Sequence, residues 1–428
     1  MTVVLTMMVR DEADIIAATI EHHLAQGIDR ILVTDNASVD GTRDILAAYA
    51  AVAPVTVLDD PEHRKQQGEV VTRMARLAFT EHGADWVVNG DADEFVRAID
   101  PAFTVAEALA RTPKEIAAFT VPVINLVGAM ARKGAGFRRL VRRDERSLEE
   151  LRAAGVHAHP TPNAIHVGSP DVEVAQGNHF VSLESQGEPP AGAALEVLHL
   201  PWRSSSQFER KTENMGRGYE ASPHLRPSAN HHGMRDWRRL RAGALLPFLA
   251  RRMPTDEELE APGFVLDTSL AERLEQLEAL LPERLAAVLD SSEDEPFSSS
   301  EIHELRVRAD LLAPLDEVAH EEIVALRGEL DERNAELFQL RLHVQALDGL
   351  PGFAERVAME REEAWQAGLE AAAPVRRALE GQVADAREQA AAAALERDAA
   401  RDRLAALEAH PAVRAARLLQ RALSPAGS

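Results

Sequence analysis

Cysteine is missing altogether, so none of the 428 residues can enter a disulfide or give a thiolate to a metal. That absence suits a reducing compartment. Positive charge is scarce beside negative: 47 Lys and Arg against 70 Asp and Glu leave a formal net charge of -23, which excludes the basic footprint of a nucleic-acid binder. The opening MTVVLTMMVRDE has no basic region ahead of its apolar run, and that run is too short for a membrane span. It reads as a first β-strand, and the chain as cytoplasmic. A Gly-rich phosphate loop is also lacking, since VVLTMMVRDEADII contains no glycine. What is present is 45% hydrophobic residues over a length that suits two or three domains.

The stretch WVVNGDADEF, Trp86 to Phe95, is the one most loaded with chemistry. A short apolar run leading into Asp91, Asp93 and Glu94 suits a buried strand whose carboxyl end meets an acidic turn, where α/β proteins bind ligands. Two aspartates one residue apart repel, and a hard divalent cation such as Mg²⁺ or Mn²⁺ relieves that repulsion. The plainer reading is an exposed turn, which Asp favours.

The preceding residues alternate strands and helices. Strands are expected at Val3 to Val9, Arg30 to Thr34 and Val55 to Leu58. Helices are expected at Asp14 to Gln26 with Gly27 as its stop, through Tyr49, and at Gln67 to His82. This pattern predicts βαβ units, a parallel sheet, and the strand-end carboxylates Asp11, Asp35 and Asp91 along one edge. Phe119 to Val127 reads as a further strand. The basic stretch holding Arg132, Lys133, Arg138, Arg139, Arg142 and Arg143 is open to two readings, a solvated surface hairpin or a clamp for a diphosphate or anionic acceptor. His157 to Pro170 reads as mostly loop, and Leu195 to Leu200 as a short strand ending at His199.

Four segments in this order, VRDEADII, HLAQGIDRILVTDNASVDGT, ADWVVNGDADEF and LHLPWRSSSQFERK, resemble glycosyltransferase family 2, in its branch with DNxSxDGT and DxDEF motifs. The resemblance covers roughly the first half of the chain. It implies an α/β GT-A fold, a Rossmann-like nucleotide-diphospho-sugar transferase domain, with a nucleotide-sugar donor, Mn²⁺ or Mg²⁺, and inverting transfer to an acceptor hydroxyl. Carried over by position, Asp11, Asp35 and Asp91 would hold the donor, and Arg203 and Lys211 would neutralise its leaving diphosphate. Asp91, Asp93 and His199 would hold the metal, Asp93 most directly; for His199 a merely packed or solvated histidine is the competing reading. No acid pair stands at the family's usual place for the base. Glu94, Asp171 and Glu173 are the candidates, with plain surface acids as the bland alternative.

Beyond about Glu220 the resemblance fades. His224, Asn230, His231 and His232 form a polar cluster read as surface or a loop near the acceptor. Residues 226–314 are expected as a helical extension, its helices broken by prolines, with an acidic linker between Leu289 and Ser300, after a domain of residues 1–225. Residues 315–428 read as a coiled-coil or helical tail. Ile323, Leu326, Leu330, Leu337, Leu340, Val344 and Leu347 fill one heptad register, broken only at Arg333, which suggests self-association. Gly349, Pro351 and Gly352 end that register, and Val383 to Leu407 repeats the spacing with a weak alanine seam. Val413 to Leu423 is an amphipathic stretch suited to peripheral contact with the inner face of an anionic membrane. The reading is therefore a transferase acting on a glycan or glycolipid acceptor. The alternatives are an inactive scaffold, or a nucleotidyltransferase, which the absent Gly-rich loop disfavours.

Overall fold

The computed structural model describes residues 1–347, except 63, 65, 223, 224, 226, 229, 230 and 281–293, together with 365–367. Two compact units divide at Gly328. The expectations for His224, Asn230, the Leu289–Glu293 part of the linker, and everything from Gly349 on except 365–367 lie outside the described residues.

The first unit is built on a six-stranded sheet of β1 (Val3–Val9), β2 (Arg30–Asp35), β3 (Val55–Asp59), β4 (Trp86–Asn89), β6 (Ala118–Val121) and β10 (Asn163–Val167), in the order β3-β2-β1-β4-β10-β6. The first four run parallel, linked by α1 (Ile16–Ala25), α2 (Thr42–Val52) and α3 (Gln67–Thr80). Buried on both faces, β1 alternates its side chains between two cores. Val3, Leu5, Met7 and Val9 join α1 and α2 on one side, while Val4 meets Val70, Val71 and Met74 of α3 on the other. All of these strands therefore end at one edge, β1 at Arg10, β2 at Asn36 and β4 at Gly90.

One expectation is qualified here and one corrected. The segment His157 to Pro170 is mostly loop, but residues 163–167 within it form β10, antiparallel and hydrogen-bonded between β4 and β6. The run Phe119 to Val127 is two strands, because Pro122 offers no N–H to a ladder. After it, β7 (Val123–Val127) leaves for a second, five-stranded sheet, ordered β12-β9-β7-β11-β5. That sheet holds β5 (Glu94–Ala98), β9 (Arg142–Asp144), β11 (Leu195–His199) and β12 (Phe264–Leu266). A two-stranded ribbon pairs β8 (Ala131–Lys133) with β13 (Glu295–Pro296).

The later part of this unit is woven into the same body. Short helices α4 (Val105–Arg111) and α5 (Leu148–Ala153) precede α6 (Ser205–Glu220), α7 (His232–Arg241), α8 (Leu245–Arg252), α9 (Ser269–Leu280) and the long α10 (Ser299–Leu347), of which residues 299–328 belong to this unit. The basic stretch forms no clamp. Arg138 reaches Glu275 at 3.0 Å, Arg139 Asp294 at 3.2 Å, Arg142 Glu260 at 2.8 Å and Arg143 Glu196 at 2.8 Å, with Arg132 on Glu301. These cations fasten the later chain to the earlier one. His231 caps α7, accepting from the Met234 N–H at 3.3 Å. Among the described residues no helix is long and apolar enough to cross a membrane.

Two buried histidines on α1 lock that helix to β5. His22 Nε2 donates to the Val96 carbonyl at 2.8 Å; His23 Nδ1 donates to the Thr19 carbonyl at 2.8 Å and its Nε2 accepts from the Val96 N–H at 3.3 Å. Burial, with some repulsion from His23, lowers His22 to about 3, and burial lowers His23 to about 4. Each stays neutral in the fold but takes up a proton below about 6.5 once unfolded, so between pH 6.5 and 4 stability falls as pH falls. His22→Gln removes one such group. Its unfolding free energy, measured in urea, should depend on pH less steeply in that window, by up to about 1.4 kcal/mol per pH unit. Equal slopes in variant and parent would refute the assignment.

Candidate active site

The DADEF turn is held by its own hydrogen bonds. The Asp91 N–H donates to Glu94 Oε2 at 3.0 Å, and the Glu94 N–H returns to the Asp91 carbonyl at 3.2 Å. Asn163 of β10 donates to the same Glu94 oxygen at 2.7 Å, and His179 contacts Asn163 Oδ1 at 3.2 Å. Burial, then the Asp91 charge, pushes the Glu94 carboxyl well above the usual range. Glu94 is thus a buried brace of the turn. The other two base candidates lie elsewhere. Asp171 and Glu173 lie exposed beside α3, where Arg76 donates to the Asp171 carbonyl at 3.5 Å and approaches Glu173 at 3.9 Å.

The two aspartates face different neighbours. Asp91 Oδ1 accepts from Gln67 at 2.9 Å and Asn178 at 3.1 Å. Asp93 is only 2% exposed and faces cations. Its Oδ2 lies 2.6 Å from Lys211 Nζ, 3.5 Å from an Arg203 nitrogen and 3.6 Å from His199 Nε2. Burial alone would raise its pKa, but Lys211, His199 and Arg203 outweigh burial and hold it well below the usual range. These partners meet because β11 pairs antiparallel with β5: His199 stands opposite Glu94, and the Leu200 N–H donates to the Asp93 carbonyl at 2.9 Å. The chain then turns through Pro201 into α6, capped by Ser204, which carries Lys211 back over the turn.

Arg203 has no exposed surface. It forks onto Asp14 at 2.8 and 3.0 Å, contacts Glu12, and presents its third nitrogen to Asp93. So buried a guanidinium holds Asp93 in place together with Glu12 and Asp14. Burial raises Glu12 to about 7 against the pull of Arg203, with Asp93 and Asp14 adding to the rise.

A cavity of about 210 Å³ opens over this cluster, at the carboxyl ends of β1 and β4. Asp91, Asp93 and Lys211 line it, with Glu12, Asn36 and Gln67. Asn214 and Gly218 join Lys211 there, three and seven residues further along α6. That spacing puts one helix face on the cavity, a signal carried by the sequence ERKTENMGRG. Asp11 and Asp35 do not line it. Asp11 accepts from the Val39 N–H and from Asn214, both at 2.8 Å, and Asp35 accepts from the Ser38 N–H at 3.3 Å and Arg43 at 3.4 Å. They brace the loop that presents Asn36.

The donor set suits a divalent cation with two protein ligands. His199 Nδ1 donates to Asn125 Oδ1 at 2.9 Å, which turns Nε2 toward the Asp93 carboxylate 3.6 Å away. A carboxylate oxygen and an imidazole nitrogen side by side are ligands that such a cation accepts. Among the described residues no group of three or more acidic or histidine side chains forms a full cage. Further ligands would have to come from a bound phosphate or water, as is usual for Mg²⁺.

Residues 4–157 match the family model described as Glycosyl transferase family 2, in agreement with the motif resemblance, and the α/β fold is of the GT-A class. Staphylococcus aureus TarS 1-349 in complex with UDP-GlcNAc is similar at a TM-score of 0.31 and 13% identity, over 68% of this chain and 91% of that one. Glucosyl-3-phosphoglycerate synthase from Mycobacterium tuberculosis, in complex with Mn²⁺, UDP and glucosyl-3-phosphoglycerate, is similar at 0.22 and 20% identity, over 39% and 56%. No curated protein matches the chain in sequence.

Removing one member of a buried ion cluster leaves its partners uncompensated, at a cost of about 3–5 kcal/mol. Arg203→Met should lower the unfolding free energy in urea by about that amount. A loss below about 1 kcal/mol would mean that Arg203 does not anchor the cluster.

Proposed function

We propose that the protein transfers a sugar from a nucleotide-sugar donor to the hydroxyl of a glycan or glycolipid acceptor, with inversion at the anomeric carbon. The observation that carries this reading is the convergence of His199 Nε2 and Lys211 on Asp93, which with Lys211 and Asp91 lines one cavity where β1 and β4 end. The family match over residues 4–157 supports it.

In this reading the nucleoside lies over the loop carrying Asn36, and the diphosphate points toward Lys211 and the Asp93–His199 pair. As the bond between the sugar and the β-phosphate oxygen breaks, negative charge grows on the diphosphate. Lys211, held protonated because Asp93 and Glu12 offset the effect of burial, stabilises that charge. Mn²⁺ or Mg²⁺ held by Asp93 and His199, with Asp91 beside them, would supply Lewis-acid stabilisation of the same leaving group. The acceptor oxygen attacks from the opposite face and passes its proton to a base.

The test is thermal melting against a panel of nucleoside diphosphates and nucleotide sugars, with and without Mn²⁺. A ligand at a hundred times its Kd stabilises the fold by about 2.7 kcal/mol, a readily measured shift. One nucleotide should raise the melting temperature, more strongly with metal, and His199→Ala should abolish the metal-dependent part. With the donor so identified, Lys211→Ala should slow transfer by on the order of 10²-fold. The reading fails if no nucleotide shifts the melting temperature in either condition.

A further inference from the structure

We infer that residues 322–347 form one strand of a parallel, in-register, two-stranded coiled coil between two copies of this chain. The inference starts from α10, one helix from Ser299 to Leu347. The heptad register of its exposed part can be traced back to its start, interrupted at Asp316, an a position ion-paired with Arg235 and Arg239. At its start, Ile302, Leu305 and Ala309 occupy a and d positions and are 6%, 8% and 0% exposed, buried in the body of the first unit. Further along the same register the seam lies in water: Leu326, Leu330, Leu337 and Leu340 are 56%, 55%, 53% and 59% exposed. On an otherwise charged helix such a narrow stripe is buried by a second helix.

The residues flanking the stripe select that second helix. The g positions are Glu322, Glu329 and Glu336; the e positions are Arg327, Asn334 and Arg341. In a parallel pair, each g position meets the e position of the next heptad on the other strand. Glu322 then faces the partner's Arg327, and Glu336 faces the partner's Arg341. An antiparallel pair of copies would instead set glutamate against glutamate and arginine against arginine. Along the described side chains, Ile323, Leu330 and Leu337 fill a positions and Leu326 and Leu340 fill d positions. Arg333, the one polar d residue, carries its own counter-charge, Glu336 at 2.8 Å.

The full-length protein tests this directly. Light scattering at micromolar concentration should give twice the 46.7 kDa of one chain. Leu330→Glu combined with Leu337→Glu should return the mass to one chain, with the melting temperature of the first unit unchanged as the folding control. Because the protein has no cysteine, Leu326→Cys and Leu340→Cys can be introduced separately as unique thiols. Both variants should form disulfide-linked dimers on mild oxidation, since each d residue faces its own counterpart only in a parallel, in-register pair. A one-chain mass for the parent overturns the inference, as would be found if a later segment of the same chain covered the stripe. A dimer indifferent to the double glutamate variant overturns it too, and so does cross-linking at neither or only one of the two positions.

Discussion

The buried carboxylate of Asp93 is the constraint on which the site depends. A carboxylate taken so far out of water costs several kcal/mol unless charge and hydrogen bonds offset it. Here the offset comes from three directions at once: Lys211 from α6, Arg203 from the turn before it, and His199 from the end of β11. Arg203 in turn holds Glu12 and Asp14 just beyond β1. One charge thus fixes the relative positions of two strand ends, a connecting turn and a helix, and leaves an opening above them. Asp93 stays ionised because this frame was assembled around it.

Much of the frame was legible in the order of residues. The apolar runs ending at Val9, Asp35 and Asn89 gave the parallel strands, and the acidic motif after Trp86-Val87-Val88 gave the turn. What was hidden depended on partners distant in sequence. Residues 163–167 are hemmed by Pro160, Pro162 and Gly168, so locally they look like loop. They become a strand because β4 and β6 offer a slot between them. The histidine pair on α1 could not be read either, since their neutrality is set by burial against β5.

Within the site, residue types were easier to read than directions. Asp11, Asp35 and Arg203 lie at the expected end of the sheet, yet Asp11 and Asp35 turn inward to hold loops and Arg203 lies beneath Asp93. Glu94 sits one residue from Asp93, and burial with the Asp91 charge pushes its carboxyl up where cations hold its neighbour down. Asp93 belongs to the turn and Glu94 opens β5, so the two side chains meet different partners. The arginines from 132 to 143 carried the strongest phosphate signal outside the motifs. Their counter-ions arrive more than a hundred residues later for most of them, at Glu260, Glu275, Asp294 and Glu301.

The edge strand β12 lies on the far side of the second sheet from β5, with β9 and β7 between it and β11. Asp267, just beyond it, lies 3.0 Å from Arg143 of β9 and 3.1 Å from Arg97 of β5, and Glu196 of β11 shares both arginines. Residues 264–267 thus bear on the strand that ends at His199 through charge as well as through the ladder. Without Asp267, Glu196 would face two arginines alone, and β5, β9 and β11 would lose the carboxylate that ties them to a segment far outside the motif-bearing half of the chain.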